Sequence, residues 1–327
     1  MTGGASLRTP PAPFRPAWWC RNRHLQTLWP VLFRRRPRPR LRRERLELPD
    51  GDYIDLDWTL NPTGPIVILL HGLEGSSRSH YARSMLDALP RHGLRGVLMH
   101  FRGCSGEPNR LPRAYHSGDT GDLDFLVGEL RRREPDAPLA AVGYSLGGNV
   151  LLKWLGEQRE HAPLRAAVAV SVPFVLHESV AHMNRGFARV YQRRLLRSLK
   201  RTVQRKAAQL APLVPLHELE RMHSFFHFDD RITGPLHGFE GAMHYYTTSS
   251  SRPYLQHIRI PTLLVQSRDD PFMPDAVLPG AEELSPTTTL SLQQHGGHVG
   301  FVGGWVPWRP RYWLDDAIPA WLRRATG

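Results

Sequence analysis

Several things that would settle the class of this chain at once are scarce in it. Two cysteines, Cys20 and Cys104, in 327 residues are too few for a disulfide framework. No apolar run approaches the roughly 20 residues that a membrane-spanning helix needs. The opening stretch Met1–Arg8 lacks the apolar core of a secretory signal. Together these absences point to a reducing cytoplasm. Lysine is confined to Lys153, Lys200 and Lys206, so the formal net charge of +13 is almost all arginine. That bias fits a GC-rich genome better than a nucleic-acid groove. The arginine runs at 34–45 and 193–205 come without zinc-finger spacing, a recognition helix or an aromatic RNA-binding signature, so no nucleic-acid partner is expected. His217, His223, His227, His237 and His244 match no compact ligand spacing, and neither a metal nor an organic cofactor is expected.

What is present is a core-forming α/β pattern. Hydrophobic residues make up 41% of the chain, and its length suits one large α/β domain with an insertion. Buried-strand patterns at 66–70, 96–101, 139–144, 166–171, 260–266 and 288–292 alternate with helical ones near 79–91 and 119–134. Residues 45–59 alternate around Pro49-Asp50-Gly51-Asp52, as a β-hairpin does. The expectation is a mostly parallel central sheet with helices on both faces. From 173 to 255 the pattern is helical, without a convincing strand. The expected division is a basic N-terminal arm (1–47), a first part of the core (48–172), a helical cap insertion (173–255) and a second part of the core (256–327). In the cap, Phe225-Phe226 and Tyr245-Tyr246 read as packing residues.

The most informative segment is Leu139-Ala-Ala-Val-Gly143-Tyr144-Ser145-Leu146-Gly147-Gly148-Asn149. It is an apolar strand ending in Gly-x-Ser-x-Gly and followed at once by a helical pattern, the layout of a nucleophile elbow. A side chain at Gly143 or Gly147 would collide across so tight a turn. The turn would present the Ser145 hydroxyl at a helix N-terminus, which favours a developing oxyanion. An acid and a histidine should follow in that order. Asp269 and Asp270 leave the 260–266 strand at its carboxyl end, on the side of the sheet where Ser145 would lie. Asp270 is preferred because, in hydrolases with such an elbow, the acid typically precedes a proline by four positions, as Asp270 precedes Pro274; Asp269 would cap the turn or bond backbone amides. After the last strand, His295-Gly-Gly-His298-Val-Gly-Phe301 offers two histidines, with His298 preferred as general base and His295 as its rival. The loop His71-Gly72-Leu73-Glu74-Gly75 should supply the second oxyanion donor, the Leu73 amide, to pair with that of Leu146. His71 lies too early for the base and reads as scaffold. Glu74 has no assigned role, and Cys104 reads as scaffold.

These segments resemble the YheT-like branch of the α/β-hydrolase superfamily, also called the AB-hydrolase 4 family. The resemblance is carried by Asn22-Arg-His-Leu-Gln-Thr27, His71–Gly75, Met99–Asn109, Tyr115-His-Ser-Gly118, Val142–Asn149, Asp269–Met273 and His295–Phe301, from about residue 14 to the last helix. It implies an α/β-hydrolase fold, a Ser145–Asp270–His298 triad and carboxylesterase activity.

The function expected is therefore a serine hydrolase cleaving small-molecule carboxylic esters through an acyl-enzyme, on short- or medium-chain or lipid-like acyl groups. A thioesterase or lysophospholipase would use the same residues. A lipid- or partner-binding scaffold on the same fold is the competing class. In the arm, Phe14–Arg21 and Leu28–Arg36 mix tryptophan with arginine. Packing of the arm onto the core is the preferred reading, because prolines interrupt a long amphipathic helix. Peripheral contact with anionic lipid is the other.

Overall fold

The computed structural model describes residues 9–35 and 37–326. The first eight residues, read above for a secretory signal, and Arg36 of the basic run lie outside the described residues. Eight strands form one sheet in the order β1-β2-β4-β3-β5-β6-β7-β8. They are β1 (Leu41–Glu47), β2 (Tyr53–Thr59), β3 (Ile66–Leu70), β4 (Arg95–Met99), β5 (Leu139–Tyr144), β6 (Ala166–Val170), β7 (Thr262–Ser267) and β8 (Thr288–Gln293). The hairpin β1–β2 and the pair β2–β4 are antiparallel; from β4 to β8 every pairing is parallel.

Each residue of β3, β4, β5 and β6 is buried, because helices cover both faces of a parallel sheet. Alternate residues therefore serve two cores. Ile66, Ile68 and Leu70 pack with α3 (Gly121–Arg133) and α4 (Leu146–Gln158). Val67 and Leu69 pack with α2 (His80–Ala88) and α8 (Trp313–Thr326). The chain between β6 and β7 is helical, with α5 (Leu176–Met183), α6 (Ala188–Arg205) and α7 (Ala242–Ser249) as its longer pieces. It has a core of its own around Met183, Leu196, Leu219 and Phe228. Tyr245, Tyr246 and Phe225 are buried, while Phe226 faces solvent.

Three features depart from the sequence reading. The first hairpin strand begins earlier than the expected residue 45: after α1 (Arg23–Phe33), β1 starts at Leu41 inside the arginine run and extends the main sheet. Asn22 caps α1 by accepting from the amides of His24 and Leu25, worth about 1 kcal/mol. Pro30 sits inside this helix, so a proline has not broken it. A small antiparallel pair, β9 (Val302–Gly303) and β10 (Arg311–Tyr312), follows the His298 loop. Both its strands are two residues long, too short to show a period.

Candidate active site

The elbow is built by close contact. A Cβ on Gly143 would lie 2.5 Å from the Gly147 carbonyl oxygen, and one on Gly147 would lie 2.5 Å from that of His71. Only glycine lets β5, α4 and the 71–75 loop approach this closely. Ser145 takes φ 51 and ψ −118, a conformation that costs a residue with a side chain about 1–3 kcal/mol. Its amide bonds the Val170 carbonyl of β6 (2.8 Å). The strain holds its hydroxyl above the carboxyl ends of the strands, at the start of α4.

His298 Nε2 lies 3.1 Å from Ser145 Oγ, and His298 Nδ1 lies 2.8 Å from Asp270 Oδ2. A carboxylate only accepts, so Nδ1 carries the proton and Nε2 is left free to accept from the serine. Asp270 is buried, and its other oxygen accepts from the Phe272 amide (2.8 Å). Phe272 also lies flat on the imidazole, 4.0 Å between centroids and 4° between planes. Asp269 faces elsewhere. It accepts from the Gly297 amide (2.9 Å) and contacts His295 Nδ1 (3.2 Å). The rival aspartate and the rival histidine thus pair with each other and tie the two loops together.

The 71–75 loop runs beside the serine: a Cβ on Gly72 would sit 3.3 Å from Ser145 Cβ. Among the described residues, the Leu73 and Leu146 amides donate to no group of the chain. His71 is buried and its Nε2 accepts from the Phe101 amide (3.1 Å). Burial, with His100 nearby, pushes its pKa down to about 3, so it is a neutral strut. Burial, reinforced by Glu74, pushes the Cys104 thiol well up, which keeps it from being a thiolate nucleophile. Burial raises Cys20 to about 12, and both cysteines are unpaired. No group of three or more His, Cys, Asp or Glu side chains among the described residues gathers to hold a metal.

Ser145 and His298 open into a cavity of about 460 Å³, walled by α1, the 71–75 loop and the inserted helices. Leu28, Val31, Val180, Met183, Leu199 and Phe225 give it an apolar lining. The inserted segment is pinned to the elbow helix by Asn149. Its Nδ2 donates to the Ser117 and Ser249 carbonyls (2.8 and 2.7 Å) and its Oδ1 accepts from the Ser251 amide (3.0 Å).

Several residues at this site had no role in the sequence reading. Arg23 donates to the Asp269 and Asp270 carbonyls (both 2.9 Å), and Thr27 Oγ1 accepts from the His298 amide (3.0 Å). Gln26 is buried; it donates to the Val302 carbonyl (2.9 Å) and accepts from the Val302 amide (2.7 Å). Their segment, Asn22–Thr27, carried the family resemblance, and that was the signal available. Glu74 has φ 53. Its amide donates to Tyr115 Oη (2.7 Å), while its carboxylate accepts from Tyr115 Oη (3.0 Å), Ser198 Oγ (2.9 Å) and Thr202 Oγ1 (2.8 Å). The residue after Leu73 thus joins this loop to α6.

Comparison with known proteins agrees with the architecture. The family model described as alpha/beta hydrolase fold matches residues 65–304. The protein named "Putative esterase YheT" from Escherichia coli (strain K12) is 46% identical over 95% of this chain and 93% of its own length. Phospholipase ABHD3 of Homo sapiens is 31% identical over 91% of this chain and 76% of its own. Among solved structures, the Pyrococcus furiosus esterase Pf2001 superposes with a TM-score of 0.56 at 17% identity, covering 88% of this chain and 94% of that one. At that identity the likeness speaks for the fold alone.

Proposed function

Since this chain belongs to the α/β-hydrolase family, in its YheT-like branch, we propose that it is a serine hydrolase of carboxylic esters working through an acyl-enzyme. Ser145, Asp270 and His298 are its catalytic triad. The observation that carries the reading is the relay from Asp270 Oδ2 through His298 to Ser145 Oγ, at 2.8 and 3.1 Å, on the wall of the apolar cavity. In this mechanism His298 Nε2 takes the Ser145 proton as Oγ attacks the ester carbonyl. Asp270 fixes the tautomer and stabilises the imidazolium without itself taking the proton. The tetrahedral oxyanion is held by the amides of Leu73 and Leu146, aided by the N-terminus of α4. His298 then protonates the departing alcohol. A water deprotonated by the same nitrogen releases the acid and regenerates Ser145.

The apolar lining of the cavity supports an acyl chain as the buried half of the substrate, because apolar walls recognise carbon chains by burial rather than by hydrogen bonds. The phospholipase name of one relative favours lipid-like acyl esters within that class. We take the helices of 173–255 to act as a cap that excludes water and selects the chain. The test is labelling of the purified protein with a fluorophosphonate, beside Ser145→Ala and His298→Ala, followed by turnover of an ester series. Labelling of the parent alone is the expected result. Labelling that survives Ser145→Ala overturns the assignment, and an unlabelled parent favours the binding-scaffold alternative.

A further inference from the structure

Six of the twelve large apolar side chains exposed among the described residues fall on three short segments: Trp18, Leu25, Leu32, Phe33, Trp305 and Trp308. Trp305 and Trp308 are 85% and 78% exposed, and Trp18 is 65% exposed. The segments touch. Trp18 Nε1 donates to the Trp305 carbonyl (2.9 Å), and Trp19, Trp29 and Phe33 form a ring series at 4.6 Å per step. Leu25 and Leu32, seven residues apart on α1, share one helix face. Single exposed apolar groups are ordinary, but a joined set of this kind marks an interaction surface.

Along the chain, the charge beside it has one sign. Residues 1–43 contain eleven arginines and no aspartate or glutamate, and no acid occurs between Glu283 and Asp315. Arg15, Arg21, Arg35, Arg309 and Arg311 are exposed, and among the described residues none of them is in an ion pair. Asp315 is largely buried and taken up by Arg34, which leaves the exposed arginines beside these tryptophans free to complement a headgroup layer that is anionic above and apolar beneath. A soluble acidic protein would complement the charge but would not need indole rings standing clear of their own fold. Among the described residues no helix is long and apolar enough to cross a membrane.

We propose that the face formed by the arm, the outer side of α1 and the loop between β9 and β10 docks on an anionic lipid bilayer. Trp18, Trp305 and Trp308 insert at the headgroup level, and the flanking arginines hold phosphate. The same helix α1 walls the cavity through Thr27 and Val31, with Leu28 lying between that wall and the exposed stripe. Two more exposed apolar residues, Phe187 and Val190, stand near the start of α6 beside it, with the Phe187 ring 4.5 Å from His24. Docking therefore sets the seam between α1 and α6 toward the membrane.

The test is co-sedimentation of the full chain with phosphatidylcholine vesicles, with and without phosphatidylglycerol, read together with tryptophan emission. The parent should bind the anionic vesicles with a blue shift, and weaken as salt is raised. Trp305→Ala/Trp308→Ala should lose about tenfold in affinity and most of the shift. Arg309→Gln/Arg311→Gln should lose about tenfold on anionic vesicles only. Thermal melts of both variants matching the parent show that the fold is kept. Because binding is read without turnover, a failure of the esterase reading would leave this result standing. Failure of the parent to bind, or unchanged binding by the tryptophan variant, overturns the proposal. So does a parent dimer by light scattering that the tryptophan variant dissolves, because the patch would then belong to a second copy.

Discussion

The two walls of the cavity are built on different principles. On the sheet side, Ser145, Asp270 and His298 stand on loops at strand ends, where backbone meets backbone: Gly143 and Gly147 have no room for a methyl group. On the helical side, Val180, Met183, Leu199 and Phe225 meet the cavity through side chains, with freedom to repack. A backbone contact cannot be moved without moving a strand, whereas an apolar side chain can be exchanged at modest cost. The rigid side suits a reaction that tolerates little displacement. The side-chain wall suits a choice of substrate that can drift. The two meet at Glu74, which follows Leu73 on the sheet side and accepts from Ser198 and Thr202 of α6.

This contrast can be broken at four points of decreasing effect. Asp270→Asn should lower kcat by about 10⁴-fold, because the imidazole loses its tautomer, whereas Asp269→Asn should cost about tenfold through a loosened loop. Equal losses in a side-by-side ester assay would mean that the relay is wrongly assigned. Glu74→Ala should lower kcat by about 10²-fold with little change in KM, because the Leu73 amide loses its anchor without loss of the cavity lining. Ser198→Ala/Thr202→Ala should reproduce part of that fall. If neither variant alters kcat, the helical side is not coupled to the chemistry.

Leu199→Ala should leave kcat for a short acyl ester near that of the parent and shift preference toward longer chains by about fivefold in kcat/KM. A uniform loss across the chain-length series would remove the selecting role of this wall. The smallest effect concerns Asp229, at the cavity edge, where Tyr246 Oη and Thr233 Oγ1 donate to it (both 2.7 Å). Burial pushes its pKa up to about 6, against those two hydrogen bonds. The folded chain then keeps a proton that the unfolded chain has released, so stability declines as pH rises from the ordinary carboxyl value of 3.8 through about 6. Urea midpoints across that window should fall in the parent and stay flatter in Asp229→Asn.

The elements legible in the sequence were those whose cause is local. β3, β5 and β6 are short apolar runs between turn residues, and the glycines around Ser145 announce a tight turn by themselves. The pairing of Asp269 with His295 and of Asp270 with His298 was less legible, since adjacent aspartates look alike until their side chains are seen to diverge. That the arm packs onto the core was legible, but its contacts with the loops of Asp270 and His298 were not. Arg23 reaches Asp269 and Asp270, and Thr27 reaches His298, across 246 to 271 positions, and no period or propensity reports such a contact. The proline-rich arginine run hid the start of β1 for a related reason. An edge strand with one open side can carry arginines that lean over its neighbours, as Arg43 and Arg45 do on Asp57 and Asp55 of β2.

The parallel sheet, the elbow and the order of serine, acid and histidine along the chain can all be read from the residues alone. Each is written in spacing and residue type within a few positions. Packing alone settles which carboxylate meets which imidazole, that α1 closes one side of the cavity, that Glu74 joins the 71–75 loop to α6, and that Trp18 meets the loop carrying Trp305 and Trp308. Those are relations between segments far apart in the chain, set by how sheet and helices pack, and a pair of residues acquires them only when the chain between is folded.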